Sequence, residues 1–480
     1  MQIKSVPGPP KGLPLVLFLH ESQTDLKAFG FAEPLKHALQ EAVRKLSFSG
    51  KAGEHKSTLL PDREVPSIAL FGLGKPGALA VEKLARHFNS WAASAPSPAC
   101  VGMAPDLLRI APADAFPVAL RLLACSDYVY DRFMKEKAKE KAVQVLCPLA
   151  LTPVGTAEMV KRASALREGY RVARDLGHAP ANVLSPEEFA GQASILGKKY
   201  GWKVEVLDVA ALERLKLPGL VMVGKGSEKP PVLVRIRAGT APKKIIIGKG
   251  VVFDSGGVSI KPVSGMDEMK YDKCGAAAVL GAMVALSELG RADGVTAYLP
   301  LAENLPGGRA FRPGDILTWP DGTSVEVMTT DAEGRLILAD ALCLAAKEKP
   351  EYILTMATLT GAMRYSLGSV AAGLFTRHAA LRDRLLASAA ATGEFCWELP
   401  LWEEFDEMIK GEISTLKNST AGTAGSITAA AFLRTFAGEA PYAHLDIAYT
   451  AYRPSSDKRS KGPTGFGVAL LTHALLWDAS

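Results

Sequence analysis

Residues 243–257 read KKIIIGKGVVFDSGG, and this stretch decides the fold. Its isoleucines and valines show no polar alternation, so residues 243–253 predict a central strand buried on both faces. Such a strand needs helices on both sides of its sheet. Residues 276–289 are apolar all round and predict a buried helix closed by Gly290. Ser185-Pro186-Glu187-Glu188 carries an N-cap, a proline at the first helical position and early acids, and so opens another helix. Further strands are expected at 202–207, 219–224, 231–238, 294–301, 325–328, 352–356 and 444–447, with a helical run at 336–347.

The first third reads the same way. Strands are expected at 14–20, 67–73 and 143–149, and helices at 35–46, 81–93 and 116–125. Gly72, Gly74 and Pro76-Gly77 close the second of these strands as a turn; the glycine spacing does not make a dinucleotide cradle. A long helix at 157–177, ended by Gly177 and Pro180, connects the halves. The expectation is an α/β chain of two domains. Residues 1–156 form a smaller N-terminal α/β domain of structural or assembly role, residues 157–180 a connecting helix, and residues 181–480 a larger domain. The larger one holds a mixed, mainly parallel central sheet flanked by helices.

The 480 residues, 48% of them hydrophobic, are ample for a large core. A net charge of +6 without a long basic run is an ordinary surface balance and only a faint pointer to DNA. Six cysteines occur, none in a C-x-x-C pair, and they read as buried free thiols in a reducing compartment. No run of 18 apolar residues predicts a membrane span, and neither a secretory nor a transit pattern opens the chain, so the cytoplasm is expected.

Chemistry gathers in the second domain, where charges end apolar elements. Lys249 stands between two glycines in the central strand, which ends at Asp254. Lys261 ends a short expected strand at 258–260, and Asp272 precedes the buried helix. Asp331 and Glu333, two residues apart, can share one face of an extended segment, with Arg335 two residues further on. Asp254, Lys261 and Asp331 fall at the carboxyl ends of strands, where α/β sheets bind ligands. Four crowded carboxylates repel one another without a cation, and two divalent ions would balance them. Carboxylate ligation without histidine suits Mg²⁺, Mn²⁺ or Zn²⁺, with Lys249 able to join as a neutral amine. Paired metals activate a water and clamp an oxyanion. Lys261 and Arg335 are then free to polarise a carbonyl and stabilise a tetrahedral intermediate. No Gly-x-Ser-x-Gly elbow competes. The residues describe a metal-assisted hydrolase acting on a carbonyl or phosphoryl centre.

The runs at 248–257, 265–272, 303–310, 330–336, 357–362 and 444–448 resemble, in order, those of the leucyl aminopeptidase family, two-metal cytosolic exopeptidases; residues 50–54 and 71–75 resemble its N-terminal part more loosely. The resemblance implies release of N-terminal amino acids, leucine-like ones preferred, from peptides. It implies that Lys249, Asp254, Asp272, Asp331 and Glu333 bind two divalent ions, zinc or manganese with magnesium or cobalt as alternatives. Asp254 and Glu333 would bridge them, and the Asp331 carbonyl would also ligate. It further implies that Lys261 stabilises the gem-diolate, that Arg335 holds a bicarbonate acting as general base, and that Met269, Thr358 and Leu359 line the substrate pocket. The family forms hexamers, and some members bind DNA. Thr329 replaces the usual Asn, Tyr449 the usual Gly, and residues 418–426 lack the usual Gly-Gly-Arg, which bears on specificity. A di-metal phosphoesterase and a DNA-binding protein on the same fold are the alternatives.

Overall fold

The structure is a computed structural model that describes all residues except 22–23, 25, 61–63, 76–79, 95, 104–111, 148–150, 240–243, 421, 454–460 and 477–480. The expected turn at Pro76-Gly77 and the end of the strand expected at 143–149 lie outside the described residues. Met1–Arg167, joined by Ala390–Gly393, makes one compact unit, and most of residues 168–480 make the other. The helix Pro153–His178 carries the chain from the first into the second.

In the first unit the strands run in the order Gln2–Val6, Ala142–Leu146, Ala99–Met103, Leu15–Leu19, Ser67–Gly72, His55–Leu59. All neighbours are parallel except the last pair. Strand Leu15–Leu19 is buried on both faces. Val16 and Phe18 pack among Leu84, Phe88 and Leu120, while Leu15, Leu17 and Leu19 pack among Leu35, Leu39 and Val43. Alternation thus places helices Val81–Ser94 and Pro112–Ala124 on one face and Glu33–Lys45 on the other.

The second unit is built on a mixed sheet ordered Cys396–Glu398, Ala372–Thr376, Tyr442–Asp446, Tyr352–Ala357, Lys244–Gly248, Val295–Asn304, Val232–Ala238, Lys203–Leu207; Gly250–Asp254 also pairs with Val295–Asn304. The five strands from Tyr442–Asp446 to Val295–Asn304, counting Gly250–Asp254, are mutually parallel and end on one edge. Ile245 and Ile247 pack against helix Glu333–Lys347 through Leu336, Leu338 and Leu342. Ile246 therefore faces the opposite side, where the helix Cys274–Glu288, buried from Cys274 to Leu286, lies on the sheet. The capping box expected at Ser185 is present: its hydroxyl accepts from the Glu188 amide, and the Glu188 carboxylate accepts from the Ser185 amide.

The structure corrects several expectations. The central strand is two strands, Lys244–Gly248 and Gly250–Asp254, parted at Lys249. There the Lys249 carbonyl accepts from Ala276 N at 2.8 Å, at the start of the buried helix, instead of from a sheet neighbour. Residues 258–260 are a turn, because Gly256 and Gly257 take φ of 85° and 67° and reverse the chain. Asp331 and Glu333 do not share an extended segment: Glu333 begins a helix and Asp331 sits in the turn before it. The six cysteines are free, but Cys125, Cys147 and Cys343 are only partly buried.

Residues 219–224 are helical, not a strand, as part of Pro218–Gly224. The cause is a buried carboxylate. Asp340 accepts from Gly219 N at 3.0 Å, Leu220 N at 2.7 Å and Trp319 Nε1 at 2.8 Å. Two of these donors are first-turn amides that a helix leaves unbonded. Burial pushes the Asp340 carboxyl up to about 7, against the pull of the three donors. Asp340→Ala strands those donors in the core and is expected to cost about 1–3 kcal/mol. The urea midpoint reports it, and an unchanged midpoint would show that the short helix stands without its carboxylate.

Candidate functional site

At the shared carboxyl edge each parallel strand delivers a polar group. Lys249 follows Gly248, Asp254 ends its own strand, Asn304 ends the next, Thr358 follows Ala357, and Asp446 ends the last. Asp272 enters from the end of the 3₁₀ turn Met266–Tyr271, where it is not the N-cap of the following helix; that position is Lys273. Glu333 enters from the first turn of its helix, whose macrodipole favours a negative charge there.

These side chains converge. Ligand oxygens of Asp254, Asp272 and Glu333, all buried, lie within 4.8 Å of one another. Lys249 Nζ is 2.8 Å from Asp272 Oδ2 and 2.9 Å from Glu333 Oε1, and donates to the Thr358 carbonyl at 2.9 Å. Lys261 Nζ is 2.8 Å from Asp254 Oδ2 and also pairs with Asp331. Gly334 leaves Lys249 its room, since a Cβ there would stand 2.5 Å from the lysine Cε.

The electrostatics show a surplus of negative charge. Burial pushes Asp272 up to about 8, with Asp254 and Glu333 adding and Lys249 opposing. Burial raises Asp254 as well, and Glu333 adds to it. Asp331, half exposed, rises to about 6 for the same reasons. Burial also works against Glu333, but Lys249 and Lys261 outweigh it and hold that carboxyl below its ordinary value. Burial works against the Lys249 ammonium too, yet Asp272, Glu333 and Asp254 hold it above the usual lysine range. Glu333 Oε2 is buried with no hydrogen-bond partner. Three buried carboxylates that two lysines only partly balance, with one oxygen unsatisfied, fit a divalent cation.

A cavity of about 320 Å³ opens on this cluster. Lys249, Asp254, Lys261, Asp272, Asp331 and Glu333 line it, as do Met269, Thr358 and Leu359. Arg335 does not line it. Arg335 is buried behind, with its Nε and Nη1 unpartnered, and burial draws its guanidinium down to about 10 against the fields of Glu333 and Asp446. Thr329 does not line the cavity either; its hydroxyl accepts from Asp331 N at 3.2 Å.

Four residues to which the sequence assigned no role hold this set in place. Asn304 Nδ2 donates to Asp254 Oδ1 at 2.8 Å and to the Thr330 carbonyl at 3.0 Å. The Thr330 hydroxyl donates to Gly256 O at 2.6 Å and accepts from Ser259 N at 2.8 Å. Asp446 accepts from Leu359 N at 3.2 Å and the Thr360 hydroxyl at 2.6 Å, and so fixes the cavity wall. Asn418, fully buried, clamps the connector that carries Asp331 and Glu333. Its Oδ1 accepts from Met328 N at 2.7 Å, and its Nδ2 donates to Thr329 O at 2.8 Å. A polar residue closing an apolar strand is a usable signal for Asn304 and Asp446. Asn418 has no local signal. Asn418→Ala is expected to lower Mn²⁺ affinity about 10- to 100-fold, as loss of a supporting hydrogen bond does elsewhere. Isothermal titration calorimetry measures it, and wild-type affinity in the variant would remove Asn418 from the support of the site.

A model of the cytosol aminopeptidase family, catalytic domain, matches residues 171–472, and one of that family's N-terminal domain matches residues 16–137. A probable cytosol aminopeptidase of Chelativorans sp. (strain BNC1) is 38% identical over 477 residues, 96% of this chain and 95% of that protein. One of Bradyrhizobium sp. (strain BTAi1 / ATCC BAA-1182) is 40% identical over 496 residues, 98% of this chain and 96% of that protein. Among solved structures, the bottromycin maturation enzyme BotP in complex with Mn superposes with a TM-score of 0.83 at 30% identity, over 97% of this chain and 99% of that one. A chain whose described residues bring three buried carboxylates to the carboxyl edge of a mixed sheet, and whose two halves both match, belongs to the cytosol aminopeptidase family.

Proposed function

We propose that this chain hydrolyses the first peptide bond of peptides with a free N-terminus, leucine-like residues among them, as a metal-dependent aminopeptidase. The observation that carries the reading is the convergence of Asp254, Asp272 and Glu333, with the unsatisfied Glu333 oxygen, on one cavity. We assign Lys249, Asp254, Asp272, Asp331 and Glu333 as holders of two divalent ions, zinc or manganese. Ions held there would supply Lewis acidity and a water nucleophile at neutral pH. Asn304 and the Thr358 hydroxyl, 2.8 Å and 2.7 Å from their carboxylates, keep Asp254 and Asp272 aimed.

Lys261 reaches the cavity from the turn at Gly256 and is only partly buried. Its ammonium is the group free to turn from Asp331 toward a scissile carbonyl and to meet the negative charge that develops on its oxygen. Arg335, with two unpartnered nitrogens in a buried setting, is suited to hold a small anion such as bicarbonate, which would take the proton from the attacking water. Met269, Thr358 and Leu359 offer the wall against which the first side chain rests. The N-terminal part, residues 1–156, is given a structural role in a homohexamer, which sedimentation would check. Among the described residues no helix is long and apolar enough to cross a membrane. No observation favours a phosphoesterase or a DNA-binding role.

Purified protein with Mn²⁺ or Zn²⁺ should release amino acid from Leu-p-nitroanilide and short peptides, lose activity on chelation, and leave N-acetylated peptides intact. Absence of turnover at full metal occupancy would sink the reading. Lys261→Ala is expected to lower kcat by about 10²- to 10³-fold with little change in KM, as loss of an oxyanion donor does. An unchanged kcat would take Lys261 out of the chemistry. Arg335→Ala should keep the metal content and lose most of the rate; metal loss on atomic absorption would make Arg335 a structural residue instead.

A further inference from the structure

The cavity holds one charge that the metal cluster does not use. Glu268 lines it from the 3₁₀ turn Met266–Tyr271, half-buried, and is not among the three converging carboxylates. Every other charged residue on the lining is Lys249, Lys261 or a carboxylate of the cluster. Glu268 has no ion-pair partner among the described residues; the Tyr452 hydroxyl is the polar group beside its carboxylate. One hydroxyl leaves most of a carboxylate's acceptor capacity open. Lys270, the near cation on the same turn, makes no ion pair with Glu268; its Nζ stands 5.2 Å from the centre of the Tyr271 ring and takes up that ring's face.

The surroundings of Glu268 are aromatic. Tyr271 and Tyr452 stack with centroids 5.1 Å apart at 29°, and both line the cavity together with Tyr449. A carboxylate beside tyrosine rings is poor ground for an aliphatic side chain, which would desolvate the acid and return nothing. It is good ground for a long cationic side chain, whose methylenes lie along the rings while the head pairs with the acid. Lysine and arginine both have that shape.

Resting on the aminopeptidase reading, we infer that Glu268, with Tyr449 and Tyr452, forms a subsite for a lysine or arginine side chain of the peptide substrate. The same chemistry can come from the first residue or from the second. Dipeptides separate the two: Arg-Ala against Leu-Ala reads the first position, and Ala-Arg against Ala-Leu the second. The subsite predicts that Glu268→Gln lowers the kcat/KM ratio of the basic to the leucine peptide about tenfold in one of these pairs. It also predicts that the wild-type ratio falls with added salt, because an attraction between charges is screened.

The glutamine variant keeps an acceptor for Tyr452, so the change tests charge rather than shape. A second readout does not need turnover. Argininamide and leucinamide are titrated into wild-type and Glu268→Gln protein, with and without Mn²⁺, and the variant should lose affinity for argininamide selectively. Ratios and affinities that are the same in both proteins overturn the subsite while leaving the peptidase intact. Turnover of no peptide, with argininamide binding still dependent on Glu268, overturns the peptidase reading instead and keeps the cationic site.

Discussion

The structure turns on the burial of carboxylates that its own cations do not fully neutralise. Removing a charge from water is tolerated only when partners replace the water, and here four acids meet two ammonium groups. Much of the local architecture follows from that constraint. The central strand opens at Lys249 so that a buried ammonium can enter the group, and Gly334 is free of a side chain so that the ammonium has space. A helix begins at Glu333 and offers its positive end to an acid.

The groups that support the acids are largely neutral. Asn304, Thr330, Thr358 and Asn418 donate amide or hydroxyl hydrogens, and none adds a positive charge. A lysine or arginine in any of these places would satisfy the same oxygen and cancel the charge that draws a cation. Neutral donors fix direction and leave the field intact. The exception on this edge is Asp446, itself an acid. It accepts from amides and a hydroxyl along the cavity wall and takes no part in the converging group.

What the sequence disclosed and what it hid divide along the range of the interactions. Asp254 was visible because strand and charge are adjacent, whereas Lys261, Asp331 and Glu333 were picked out on a strand and an extended segment where the structure has turns and a helix start. The helix at Pro218–Gly224 was not visible: its apolar run reads as a strand, and the carboxylate that turns it helical stands 120 positions away in Asp340. Asn418 is hidden for the same reason, with partners 89 and 90 positions off. The break at Lys249 depends on an amide from Ala276. The edge strand His55–Leu59 escaped because its alternating exposure gives it no apolar run to see.

Chemistry and recognition share part of their backbone in this molecule: Asp272 ends the 3₁₀ turn that carries Glu268, and Thr358 and Leu359 follow a strand end. The groups assigned to metal and oxyanion stand at strand ends, on a first helical turn or on tight turns braced by buried amides and hydroxyls. Glu268, Tyr449 and Tyr452 stand on a short 3₁₀ turn and on the segment after Asp446, where exposure is partial and regular hydrogen bonding is sparse. A substitution on those segments alters the wall the substrate touches without moving a strand end. A substitution at a strand end disturbs the sheet and the acid cluster together. The substrate preference of this chain is therefore to be sought in residues 262–271 and 448–452, Tyr449 among them.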